Sequence, residues 1–157
     1  QFKGKYVVLE WLNHGCPYVK KHYNSGNMQA LQQTETAAGV VWLSIVSSAP
    51  GKQGYEEAAD AQATAEKVGS GATAILLDPT GKVGKLYGAK VTPEMFVINP
   101  EGEIIYHGAI DSIRSTDAAD IPVAKNYVTT ALTQARAGEA VSQSVSQPYG
   151  CGVKYAK

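Results

Sequence analysis

Two uninterrupted apolar runs constrain the fold of this chain more than any other feature. "YVVLEWL" (Tyr6 to Leu12) and "GVVWLSIVS" (Gly39 to Ser47) are rich in β-branched and aromatic residues. Neither alternates cleanly between apolar and polar, so each reads as a strand buried in a sheet. The residues between them are helical in pattern. Two buried strands joined through helices pair in parallel, by right-handed crossovers. The expected class is therefore α/β, with a central mixed β-sheet flanked by α-helices.

The remaining punctuation fits that frame. A helix opens at Cys16-Pro17, because proline is at home in a first helical position where its missing N–H costs nothing. It runs to about Ser25, breaks at "NSG", and resumes from Asn27 to about Thr36. Tyr55 to Val68 reads as a helix, Ala74 to Leu77 as a short strand closed by "DPTG", and Val83 to Tyr87 as a helical turn. Met95 to Ile98 and Ile104 to His107 flank "NPEGE" and read as an antiparallel hairpin. Lys125 to Ala137 is a further helix, stopped by Gly138, and the tail after it reads as extended. No internal repeat or linker interrupts the 157 residues.

Composition narrows the function classes. Apolar residues make up 44% and charged residues 18%, as in a globular chain with a proper core. Lysine plus arginine equal aspartate plus glutamate at 14 each, which argues against a nucleic-acid binder. The longest apolar runs fall far short of a membrane span.

Chemistry concentrates around one cysteine. Cys16 lies where a strand gives way to a helix, so its sulfur faces the free N–H groups and positive dipole end of the first turn. Both favour thiolate over thiol. Lys20, four residues on, shares that helical face. The plainer reading is a small buried residue at a helix start, or half of a structural disulfide. Glu10 shares a strand face with the apolar Val8 and Leu12. A carboxylate there needs a partner or a proton, which makes it a candidate proton carrier; the alternative is a glutamate paired with a base such as Lys90. Thr92-Pro93 precedes a buried strand, where a cis bond is useful beside a reactive sulfur. His14, Cys16 and His22 lack the spacing of a closed metal site, so no metal is expected. Trp11 and Trp42 read as core residues of the two central strands, and Lys20, Lys21 and Lys52 as a solvated face.

These residues together resemble the thioredoxin-like superfamily, and within it the redoxin branch of AhpC/TSA-type, peroxiredoxin-like proteins. "FKGKYVVLEW" resembles the first central strand, "NHGCPYVKKHY" the active-site turn and helix, "VTPEMFVINPEGEIIYHGAID" the cis-proline and hairpin, and "PYGCGVKY" the tail cysteine segment. The resemblance implies a thioredoxin fold in one domain over residues 1–157, without the usual N-terminal hairpin. It implies a thiol–disulfide oxidoreductase or thiol-dependent antioxidant. Cys16 matches the family's nucleophile, Thr92 and Pro93 its substrate-facing backbone, and Glu10 its buried acid. Two departures stand out. The motif reads Cys16-Pro17-Tyr18-Val19, without a second cysteine, and Asn13 stands where peroxiredoxins carry a threonine. Cys151, expected in a flexible, glycine-flanked tail, is the expected resolving thiol. No tightly bound cofactor is implied, and electrons would come from a dithiol partner protein, with a disulfide protein or a peroxide as substrate. The branch is often exported, so a periplasmic location is expected. The competing reading is an exported, non-catalytic binding module that uses one disulfide structurally.

Overall fold

The computed structural model describes residues 1–157. Strand β1 (Val7–Trp11) is buried along its whole length and lies at the centre of a five-stranded sheet. Strand β2 (Val41–Val46), likewise buried throughout, pairs parallel with it, Val8 opposite Trp42 and Glu10 opposite Ser44. Strand β3 (Ala74–Leu77) extends the parallel side beyond β2. On the other side, β5 (Glu94–Ile98) runs antiparallel to β1, and β6 (Ile104–Gly108) antiparallel to β5. The order β3-β2-β1-β5-β6 is that of the expected mixed sheet.

The helices follow from local chemistry. Helix α1 (Pro17–Asn24) starts on Pro17, with Cys16 in extended conformation as its N-cap. Gly26, at φ +80°, makes the break before α2 (Asn27–Ala37), a backbone geometry that β-carbons disfavour. Helix α3 (Ala58–Lys67) packs by Ala61 and Ala65, and α4 (Lys82–Tyr87) follows β3. Helix α5 (Tyr127–Arg136) begins on the Asn126 side chain, which accepts from the Thr129 N–H at 3.0 Å. Its last residue, Arg136, reaches the nearly buried Glu35 of α2 at 2.6 Å.

The period of two along β1 splits the core. Val8 and Leu12 face the larger cluster, with Trp42, Met95, Val97 and the buried residues of α1, α2 and α5. Val7, Leu9 and Trp11 face a smaller one with Phe96, Ile45 and Ala89. The two tryptophans are core residues as expected, but on opposite faces of the sheet.

Two strands escaped the sequence reading. Strand β4 (Val91–Thr92) and strand β7 (Cys151–Gly152) pair antiparallel, Thr92 opposite Cys151. The C-terminal tail is thus laid across the sheet's end.

Candidate active site

Cys16 owes its position to a compact turn. Asn13 is buried, and its carboxamide oxygen accepts from the Gly15 N–H at 2.8 Å, while its carbonyl accepts from the Cys16 N–H at 2.9 Å. This side-chain turn folds the end of β1 into α1. The residue in the peroxidase threonine's place is therefore the one that shapes the turn. Cys16 is then the N-cap residue of α1, at the end where the helix has its free N–H groups, with no side-chain cap hydrogen bond of its own.

The Thr92–Pro93 peptide is cis, as expected. The Thr92 carbonyl oxygen lies 3.4 Å from Cys16 Sγ. Glu94 braces this corner by accepting from the N–H groups of Lys90 and Val91 at 2.9 and 3.3 Å. Burial raises its carboxyl pKa, against those two hydrogen bonds and the nearby His107 and Lys90.

Cys151 reaches the same spot from the far end of the chain and is disulfide-bonded to Cys16, with Cα atoms 6.0 Å apart. A β-carbon on Gly150 would overlap the Thr92 carbonyl, so only glycine lets β7 come this close to β4. The Val153 N–H continues the pairing to the Lys90 carbonyl at 3.0 Å.

The tail is fastened on both sides of the disulfide rather than hanging free. On one side, the nearly buried Tyr149 donates to Asp111 Oδ1 at 2.6 Å, and its hydroxyl lies 3.3 Å from His22 Nε2 and 3.4 Å from Lys21 Nζ. Asn27 donates to His22 Nδ1 at 2.8 Å, so the proton of the neutral imidazole sits on Nε2 and points at the tyrosine oxygen. Lys21 also reaches the Ile113 carbonyl and Ser115 Oγ, both at 3.3 Å. On the other side, Tyr155 donates to the Ala89 carbonyl at 2.7 Å and packs over Gly81 and Gly84. Tyr155 is held protonated, its pKa raised to about 12 by burial and then by Asp78 and Glu94.

Two expectations are corrected here. Lys21 belongs to no solvated face: it is buried, whereas Lys20 and Lys52 are exposed. The Lys20 N–H donates to the Cys16 carbonyl at 2.9 Å as part of α1, while its side chain is exposed. Glu10 is fully buried, yet its partner is no base. Gln32, Trp42 and Ser44 donate to Oε1 at 3.0, 2.9 and 2.8 Å, and Tyr23 donates to Oε2 at 2.5 Å. None of those four is a cysteine. Burial, followed by the Glu10 charge, holds the Tyr23 hydroxyl well above its ordinary pKa, so it stays a donor.

The structure thus joins Cys16, Cys151, Thr92 and Pro93 in one corner and sets Glu10 in a hub between β1, β2, α1 and α2. His14 packs edge-on against Tyr23, ring centroids 4.8 Å apart, and His22 hydrogen-bonds within the Tyr149 hub. Sequence reasoning missed Tyr149, Asp111, His22 and Lys21 as one unit. Only the proximity of Tyr149 to Cys151 in the chain hinted at it. A disulfide with one sulfur at a helix N-terminus is a candidate for thiol–disulfide exchange.

Residues 1–107 match the model of the AhpC/TSA family, and the match ends before α5 and the tail that carries Cys151. No curated protein matches the sequence. Among solved structures, an uncharacterized conserved protein from Geobacillus kaustophilus superimposes with a TM-score of 0.83 at 24% identity, covering 99% of this chain and 79% of its own. A hypothetical protein from Sinorhizobium meliloti 1021 gives 0.76 at 22% identity, covering 98% and 81%. The thioredoxin domain of a thiol-disulfide oxidoreductase from Bacteroides vulgatus gives 0.52 at 19% identity, covering 78% and 79%. These likenesses establish a thioredoxin-like α/β fold.

Proposed function

Since the chain belongs to the AhpC/TSA family, we propose that it is a thiol–disulfide oxidoreductase whose working pair is Cys16 and Cys151. The observation that carries this reading is the disulfide itself, closed between a helix-capping sulfur and a tail strand laid on the cis-proline corner. In this reading Cys16 supplies the stabilised thiolate, Cys151 the second sulfur, and the Thr92-Pro93 backbone the surface along which a substrate chain lies once the tail lifts. Glu10 is the proton carrier of this reading, and through the hub beneath α1 it also holds Tyr23 and the helix in place. Lys20 contributes positive charge near the mouth of the site from the exposed side of α1. Substrates are dithiol or disulfide proteins, and reducing equivalents come from a further dithiol. One domain serves the whole reaction. A closed disulfide suits an oxidising, exported compartment such as the periplasm.

A peroxide would use the same two sulfurs. Cys16 thiolate would attack one peroxide oxygen and become a sulfenic acid as the other oxygen leaves, protonated, as water or an alcohol, and Cys151 would condense with the sulfenic acid, releasing water. Asn13, spent on shaping the turn, leaves that chemistry without its usual threonine.

The static alternative has one observation in its favour: Cys16 is completely buried in the closed form. Measurement separates the two. Catalysed reduction of a protein disulfide by dithiothreitol is expected to disappear in both Cys16→Ser and Cys151→Ser. Unchanged turnover in Cys16→Ser would end the enzyme reading. A Cys16–Cys151 potential below about −300 mV, in the range of structural disulfides, would favour the staple.

A further inference from the structure

The two sulfurs are not equally reachable. Cys16 has no exposed surface: it is packed in the larger core cluster with Val19 and Tyr149 around it, and the Thr92 carbonyl stands 3.4 Å from its sulfur. Cys151 is half-buried, with a glycine on either side of it in the chain. Gly152 is exposed, and the space where its side chain would stand is open. Gly150 turns its bare side against the Thr92 backbone. The tail therefore shields Cys16, while Cys151, packed on one side against the larger core cluster, has an open side at Gly152.

We infer that the closed form is opened by attack of an incoming thiolate on Cys151 Sγ, with Cys16 as the leaving group. This rests on the proposal that the pair is redox-active, and it assigns the order of events within it. The incoming sulfur forms a bond to Cys151 Sγ as the Cys16–Cys151 bond breaks. The bonding pair departs on Cys16, which becomes a thiolate at the N-terminus of the eight-residue helix α1. Free N–H groups and the helix dipole stabilise that anion, and a lower-pKa thiol leaves faster. The partner's second thiolate then attacks the partner sulfur held on Cys151 and expels Cys151 as a thiolate. The partner ends as a disulfide; two electrons have moved to Cys16 and Cys151, both left as thiolates that take their protons from solvent. In reverse, Cys151 makes the mixed disulfide with a substrate, and Cys16 attacks Cys151 Sγ to release the substrate thiol. The helix cysteine remains a nucleophile, but its target is the tail and not the substrate.

The step has a regiochemical signature. Oxidised wild-type protein is exposed to glutathione, quenched in acid, alkylated, digested and mapped by mass spectrometry. Glutathione is expected on Cys151, with Cys16 alkylated, in at least tenfold excess over the opposite pattern. Glutathione on Cys16, or spread evenly over both, would overturn the inference and leave the redox proposal standing. A folded protein that forms no adduct at any glutathione concentration would overturn both.

Discussion

Four donors converge on one carboxylate, and that is the most demanding polar arrangement in the molecule. Glu10 Oε1 accepts from three groups and Oε2 from Tyr23, with no cation beside it. Each donor is buried, so each would cost about 1–3 kcal/mol if left without an acceptor. The two oxygens are not equivalent, which orders the effects of substitution. Glu10→Gln can keep its carbonyl at the Oε1 position and turn its NH2 toward the Tyr23 oxygen, so only the tyrosine proton loses its acceptor. Glu10→Leu orphans Trp42, Ser44 and Tyr23 outright and leaves Gln32 Nε2 only the Tyr23 hydroxyl, at 3.0 Å. Urea unfolding of the oxidised protein should therefore show a loss of about 1–2 kcal/mol for Glu10→Gln and more than about 4 kcal/mol for Glu10→Leu. Equal losses would mean that volume, not hydrogen bonding, governs the site.

At the scale of elements, α1 carries the cysteine at one end and the tail's anchor along its length. Lys21 and His22 sit on the buried side and meet Tyr149 and Asp111 from opposite ends of the sequence. Burial pushes the His22 imidazole down to about 4, against Asp111 and with Lys21. In the unfolded chain it titrates near 6.5. Between those values the unfolded chain holds the proton and the folded chain does not, so stability is full above about pH 6.5 and declines toward about pH 4. The free-energy gap between wild type and His22→Gln should shrink over that window by up to about 3 kcal/mol. Glu94 titrates with the opposite sign, its carboxyl raised by burial, but it is common to both proteins and cancels. A gap that stays constant with pH would show that the imidazole is not the group responsible. This unit also marks the limit of what the sequence reveals. The long apolar strands, the hairpin and the Cys16-Pro17 helix start were legible because their signals are local: runs, turns and caps. Strands β4 and β7 have two residues each, too few for any period, and pair across the chain. Lys21 and His22 look like surface residues on α1, because nothing nearby announces partners about a hundred residues away. The same non-locality hid the four donors of Glu10, although its need for partners was plain.

For the whole molecule, the disulfide and the core are nearly separate devices. Of the 19 buried residues of the larger cluster only Tyr149 comes from the tail, and none of the 8 in the smaller cluster does. Opening the disulfide should leave both faces of the sheet covered, with the tail still held at Tyr149 and Tyr155. The bond closes a loop between residues 135 apart, which on the chain-entropy account stabilises the fold by about 5 kcal/mol. Whatever the disulfide contributes to the fold, the fold contributes to the disulfide, because the two equilibria share one cycle. At about 30 mV per 1.4 kcal/mol for two electrons, the native potential should lie roughly 100 mV below that of the same pair in urea. Urea titrations of the oxidised and reduced protein, run beside glutathione equilibria with and without denaturant, measure both sides of that cycle. The expected result is a reduced protein that still unfolds cooperatively, weaker by no more than about 5 kcal/mol. A reduced chain with no cooperative transition would mean that the fold depends on the bond, and a bond the fold cannot lose cannot be cycled by a partner.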